Sequence, residues 1–231
     1  MKQKPIAMRC CFLCLLLLVI SDRGAAQQTV PLYPGYAPNS KKERMQEVRR
    51  ADAVVDTVIV KVAQPDLTVY PASQATDKHI AVIICPGGGY GVLCIKWEGE
   101  RIAKAFNKAG ITAFVLKYRL PDTSRELKPS IAPLQDLQQA IKIVREQRAT
   151  WHIDAGKIGI MGFSAGGHLA ATAGTHFEEA FVPNPEKTSL RPDFMVLVYP
   201  VISFTDSIGH TGSRNNLLGK QPDQASIRFF S

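Results

Sequence analysis

Cysteine is scarce in this chain of 231 residues: there are five, and Cys10, Cys11 and Cys14 all fall near the start. Only Cys85 and Cys94 remain beyond them. They read as two partly buried thiols beside a loop, although an exported chain would permit a bridge between them. Missing too are paired His, Cys or Asp residues at metal-ligand spacing, and a glycine-rich phosphate loop closed by Lys-Ser or Lys-Thr. No internal repeat is present, and no low-complexity segment beyond the first residues. The longest apolar run, Cys10 to Ile20, has 11 residues, too short to span a bilayer comfortably. These gaps argue against metal chemistry, nucleotide-phosphate binding and a membrane-spanning helix.

What is present is an ordinary globular composition, 45% hydrophobic and 21% charged, on a chain long enough for one domain with a sizeable core. Lys2, Lys4 and Arg9, the apolar run, and then Gly24, Ala25 and Ala26 before Gln27 have the three-part form of a secretory signal. Cleavage after Ala26 is expected, with export and no stable membrane insertion afterwards. Removal of residues 1–26 takes away four basic residues and one acid, so the formal charge falls from +8 to +5. Residues 27–50 read as an exposed lead-in with one short helix. Their run of Lys41, Lys42, Arg44, Arg49 and Arg50, interleaved with Glu43 and Glu47, reads as a solvated surface and not as a nucleic-acid site.

Residues 51–231 are expected to form the domain. Val54 to Val62 alternates apolar residues, and after Gln64-Pro65-Asp66 a second run, Leu67 to Tyr70, predicts two edge strands in a hairpin. From there the element types alternate. Ile80 to Cys85, Ile111 to Tyr118, Lys157 to Phe163 and Asp193 to Tyr199 are apolar strands; Gly99 to Ala109, Pro133 to Arg148 and Ala165 to His176 are helices. Unbroken apolar strands, each followed by a helix, imply a mostly parallel sheet covered on both faces, an α/β doubly wound core.

The chemistry centres on Gly162-Phe163-Ser164-Ala165-Gly166. Glycine-x-serine-x-glycine alone is a weak signal; strand, sharp turn and helix in succession make it a strong one, because the serine must stand exposed at a strained apex. Ser164 is the expected nucleophile, and the N–H of Ala165, at a helix N-terminus, is aimed at a developing oxyanion. The bland alternative is a helix-capping serine. After the strand Ile80 to Cys85 comes Pro86-Gly87-Gly88-Gly89-Tyr90, a loop with little side chain to keep a substrate from its backbone. Each oxyanion donor removed from such a site costs roughly 2.7 to 4 kcal/mol of transition-state stabilisation.

Cys85 to Tyr90, Lys117-Tyr118-Arg119-Leu120, Ile153-Asp154, Gly162 to Leu169 and Tyr199-Pro200-Val201 together resemble the hormone-sensitive-lipase-like branch of the α/β-hydrolases. Within it the chain is similar to exported bacterial acetyl xylan and feruloyl esterases. The resemblance runs from about Ile80 to Ser231. It implies an α/β-hydrolase sheet, Ser164 as nucleophile, and Gly88, Gly89 and Ala165 as oxyanion donors. It also implies cofactor-free hydrolysis of a small ester or an acylated plant polysaccharide. Tyr90 and His210 fall at the expected mouth of the site. Pro86 stands where the family usually has the histidine of His-Gly-Gly-Gly, which leaves open how the loop is held.

A serine of this type needs an acid and then a histidine later in the chain. Only 67 residues follow Ser164, with one strand among them. His168 and His176 read as packing or surface residues, and His210, with Asp206 as its nearest acid, is a poor base. The chain is therefore expected to be an incomplete, N-terminal part of the domain, lacking the last strands. Such a part is expected to be nearly inactive on p-nitrophenyl acetate and poorly soluble, because Asp193 to Tyr199 would be an unprotected sheet edge. Alternatives on the same fold are a serine peptidase and a non-catalytic carbohydrate binder.

Overall fold

A computed structural model describes residues 28–42, 45–205 and 207–231. The expected signal sequence, Glu43, Arg44 and Asp206 lie outside the described residues. Strands are β1 (Gln28–Pro31), β2 (Val48–Asp52), β3 (Asp56–Lys61), β4 (Asp66–Tyr70), β5 (Ala81–Cys85), β6 (Thr112–Lys117), β7 (Ile158–Phe163) and β8 (Met195–Val198). Helices are α1 (Arg101–Lys108), α2 (Ala132–Glu146), α3 (Ala165–Thr175), α4 (Thr211–Leu218) and α5 (Gln224–Phe229). Among the described residues no helix is long and apolar enough to cross a membrane.

The main sheet has the order β1-β4-β6-β5-β7-β8. Its four strands β6, β5, β7 and β8 are parallel, and β4 and β1 are added antiparallel at one side. β5 is buried along its whole length, which explains its unbroken apolar sequence. Alternate residues serve opposite faces. Ile83 and Cys85 join Leu134, Leu137, Leu169 and Ala170 of α2 and α3, while Val82 and Ile84 join Ala103 of α1, with Ile102 and Phe106 packed alongside. The chain leaves β5 in one direction to reach β6 and later occupies β7 on the other side of β5. The carboxyl ends of β5 and β7 therefore flank a topological switch point, where such sheets bind ligands.

Two expectations need correction. β3 and β4 do not form a hairpin: β3 pairs with β2 in a separate two-stranded sheet, and β4 lies between β1 and β6. Ile59 exchanges backbone hydrogen bonds with Leu93 at 3.0 and 2.9 Å, whereas Leu67 and Val69 belong to the core of the main sheet. Gln64-Pro65-Asp66 is thus a crossing between sheets, not a tight turn. The lead-in is also not merely exposed, and it carries two strands. Leu32 and Tyr33 are buried, and the Tyr33 hydroxyl donates to Asp136 Oδ1 at 3.0 Å.

Asp136 sits in a buried pair with Arg119, Nη2 to Oδ1 at 2.8 Å. The same guanidinium donates to the Pro38 carbonyl at 2.9 Å and to Ser40 Oγ at 3.3 Å. This network binds the lead-in to β6 and α2. The charge run contributes as well, since Glu47 and Asp66 both contact Lys117 Nζ at 2.7 Å.

The helix expected from Gly99 begins as a π-helical turn, Ile95–Glu100, that runs into α1. At the far side, β8 is an edge strand with Met195, Val196 and Leu197 43, 37 and 40% exposed. α5 is capped by Asp223, whose carboxylate accepts from Ser226 N–H at 2.8 Å, and Phe230, just after it, packs into the core.

Candidate active site

Cys85 of β5 and Gly162 of β7 are paired in register, so the loops that follow these strands emerge side by side. Ser164 lies between β7 and α3 at φ 50°, ψ −117°, a conformation that costs a non-glycine residue about 1–3 kcal/mol. Its surroundings enforce it. The Ser164 N–H donates to the Val198 carbonyl at 3.1 Å, and its carbonyl accepts from His168 and Val201 N–H at 3.0 and 3.2 Å.

The flanking glycines permit the turn through close approach. A Cβ on Gly162 would lie 2.1 Å from the Gly166 carbonyl oxygen, and one on Gly166 would lie 2.1 Å from that of Cys85. The glycine loop lies directly against this elbow. A Cβ on Gly87 would come within 2.6 Å of the Phe163 carbonyl oxygen and 3.1 Å of Ser164 Cβ. Gly88 and Gly89 take φ values of 129° and 63°, turning the chain back so that Gly88 C=O accepts from Gly91 and Val92 N–H at 3.1 Å each.

Among the described residues nothing accepts a hydrogen bond from the N–H groups of Gly88, Gly89 or Ala165, and Ser164 Oγ makes none. The hydroxyl, two loop amides and a helix N-terminus thus share one end of the sheet. That combination suits a carbonyl group passing through a tetrahedral oxyanion.

The histidines take other roles. His168 is buried, its Nδ1 accepting from the Tyr90 hydroxyl and its Nε2–H donating to the Phe230 carbonyl, both at 2.7 Å. Burial pushes its pKa down to about 4, so it is neutral at pH 7. Tyr90, expected at the mouth, turns its ring inward to 2% exposure because of this bond. The His176 ring packs at a tilt against that of Phe229, centroids 4.3 Å apart. His210 caps α4, its Nδ1 accepting from Ser213 N–H at 3.1 Å and bonded to Ser213 Oγ at 2.8 Å. α4 borders the glycine loop through Asn216, whose amide donates to the Gly89 carbonyl at 2.8 Å. His210 therefore sits on the element that flanks the loop, but it makes no bond to Ser164.

Glu98, which nothing in the sequence singles out, and Tyr199 also border the elbow and the glycine loop. Glu98, in the π-helical turn, is buried to 9% exposure. Its Oε2 accepts from Gly87 N–H and its Oε1 from the Tyr199 hydroxyl, each at 2.6 Å. In Lys96-Trp97-Glu98-Gly99-Glu100 the acid resembles a solvated charge; the sole cue is Gly99, where a Cβ would lie 2.8 Å from Val115 Cγ1, marking a tight approach to the sheet. The loop's other anchor is the Tyr118 hydroxyl, which donates to the Pro86 carbonyl at 2.7 Å. Cys85 and Cys94 are both free thiols. Burial raises both, Cys94 to about 11 with help from the neighbouring Glu98 charge. A cavity of about 460 Å³ bordered by Tyr36, Lys41 and Arg125 includes no residue of the elbow or the glycine loop in its walls.

The chain is 36% identical over 169 residues to endo-1,4-beta-xylanase B of Butyrivibrio fibrisolvens, covering 72% of this chain and 26% of that one. It is 39% identical over 141 residues to the acetylxylan esterase of Xylanibacter ruminicola, covering 61% and 26%. The matched segments thus span about a quarter of the length of these curated relatives. The acetyl ester-xyloside bifunctional hydrolase of Caldicellulosiruptor lactoaceticus superposes with TM-score 0.67 at 34% identity, over 89% of this chain and 68% of that one. The fold is that of the α/β-hydrolase esterases. The BD-FAE family model matches residues 67–227, a span that takes in β5, the glycine loop, the Ser164 elbow and α4, and the chain belongs to the BD-FAE family.

Proposed function

We propose that this chain carries the nucleophile and oxyanion-binding part of a serine carboxylesterase acting on acyl groups of plant polysaccharides. The observation that carries the reading is Ser164 at φ 50° against a glycine loop with unpaired N–H groups. The names of the relatives, acetylxylan esterase and acetyl ester-xyloside hydrolase, support an acetylated xylan or a small ester as substrate. Attack by Ser164 Oγ on the ester carbonyl would place the oxyanion at the N–H groups of Gly88, Gly89 and Ala165. The alcohol would then leave, and water would release the acid from the acyl-serine.

The step that these residues do not provide is removal of the serine proton. Both ring nitrogens of His168 are engaged and His210 caps a helix, so neither is poised to take that proton. Without a base, the elbow and oxyanion donors are expected to give only on the order of 10³ to 10⁴ over water. The same reading includes the N-terminal signal and export of the mature chain.

The test is hydrolysis of p-nitrophenyl acetate and acetylated xylo-oligosaccharides by the parent, Ser164→Ala and His210→Ala. Slow turnover that vanishes in Ser164→Ala is expected. Robust turnover abolished by His210→Ala would assign the base to His210, and turnover that survives Ser164→Ala would remove the serine from the mechanism.

A further inference from the structure

We propose that Glu98 is the positioning residue of the oxyanion loop, clamping Gly87 and Tyr199 together through its two carboxylate oxygens. This rests on the assignment of Ser164 and the glycine loop as the ester site, and it adds the element that gives the loop its shape.

Pro86 has no N–H and no side-chain donor, so it cannot anchor the loop in the way a histidine there could. Its carbonyl is taken by the Tyr118 hydroxyl at 2.7 Å. The first free donor of the loop is Gly87 N–H, and it goes to Glu98 Oε2 at 2.6 Å. Fixing the plane of that peptide orients the next amides, Gly88 and Gly89, which stay unbonded and available. The contact leaves no slack, since a Cβ on Gly87 would fall 2.8 Å from the same oxygen.

The other carboxylate oxygen holds the opposite wall. Tyr199, an exposed residue, follows β8 with φ 35°, and its ring lies 5.9 Å from that of Phe163, the residue before the serine. Its hydroxyl reaches Glu98 Oε1 at 2.6 Å. One buried acid thus ties the loops after β5 and β8 on either side of the elbow after β7. The π-helical turn that carries it is an irregularity often retained at functional sites.

The role depends on hydrogen-bond geometry rather than on charge. A glutamine there can accept from Gly87 N–H through its oxygen and donate to the Tyr199 oxygen, because a phenol can do either. The experiment compares parent, Glu98→Ala, Glu98→Gln and Tyr199→Phe in the full chain. The measurements are amide hydrogen exchange of the segment 86–92, the rate of Ser164 phosphonylation by a fluorophosphonate, and the thermal midpoint.

Glu98→Ala is expected to speed exchange in the segment by about tenfold or more and to slow phosphonylation by about tenfold or more, as misplaced site groups do. Glu98→Gln is expected to recover most of both, and Tyr199→Phe to give a smaller shift in the same direction. Unchanged exchange in Glu98→Ala, or glutamine as damaging as alanine, would overturn the proposal. If Glu98→Ala does not fold, Tyr199→Phe and Glu98→Gln decide it: no change in Tyr199→Phe, or an unrecovered loop in Glu98→Gln, overturns it. A parent that is not phosphonylated at all would count against Ser164, while exchange would still decide Glu98.

Discussion

The Tyr90 hydroxyl donates to His168 Nδ1 at 2.7 Å, tying the residue that ends the glycine run to the helix beneath the serine. The opposite ring nitrogen donates to Phe230, so one imidazole joins the glycine loop, the elbow helix and the C-terminal helix α5. This is a structural use of a histidine that lies only four residues after Ser164.

That histidine makes stability depend on pH. Its folded pKa is about 4 against an ordinary 6.5, so below pH 6.5 the unfolded chain binds a proton that the folded chain refuses. Stability is present in full above pH 6.5 and is lost as the pH falls toward 4, by roughly 3 kcal/mol in all. Urea unfolding at pH 7, 5.5 and 4.5 should show the decline, and His168→Gln should flatten this component.

The two elbow glycines should be hard to replace. Gly166→Ala brings a Cβ to 2.1 Å from the Cys85 carbonyl oxygen, a backbone clash that no side-chain rotation relieves. A loss of roughly 3–5 kcal/mol or failure to fold is expected, whereas Gly35→Ala, with nothing within 4 Å, should change stability by less than about 1 kcal/mol. Thermal midpoints of the two variants check the contrast.

Arg119→Leu should free the lead-in. It strands Asp136, whose carboxylate is fully buried, at a cost of about 3–5 kcal/mol, and it removes the hydrogen bonds to Pro38 and Ser40. Limited proteolysis should then cut the segment 34–42 at a rate well above that of the parent.

Most of the sheet was legible because its strands carry their own signal. β5, β6 and β7 are continuous apolar runs, α1 and α2 show helical spacing, and α3 is a run of small residues after the serine, so fold and elbow followed from local pattern. What escaped the sequence depends on distant partners. β1 and β2 are short and mostly exposed, and the lead-in is fixed by contacts such as Tyr33 to Asp136 and Glu47 to Lys117, 103 and 70 residues apart. Glu98 was missed for the same reason: its burial comes from Gly87 and Tyr199, not from anything in its own neighbourhood. β8, within the apolar run Asp193 to Tyr199, lies at the edge of the sheet with its residues exposed.

That edge carries its own prediction. Val196→Lys places a charge on an exposed strand that can otherwise pair with another chain. Soluble yield should rise and light scattering at a given concentration should fall; unchanged scattering would mean that association does not run through β8.

The most direct test of the central claim is the mass of the chain after long incubation with a fluorophosphonate, followed by peptide mapping. A slow, single adduct on Ser164, absent from Ser164→Ala, is expected. An adduct on another residue, or none on Ser164 while ester hydrolysis proceeds, would contradict it.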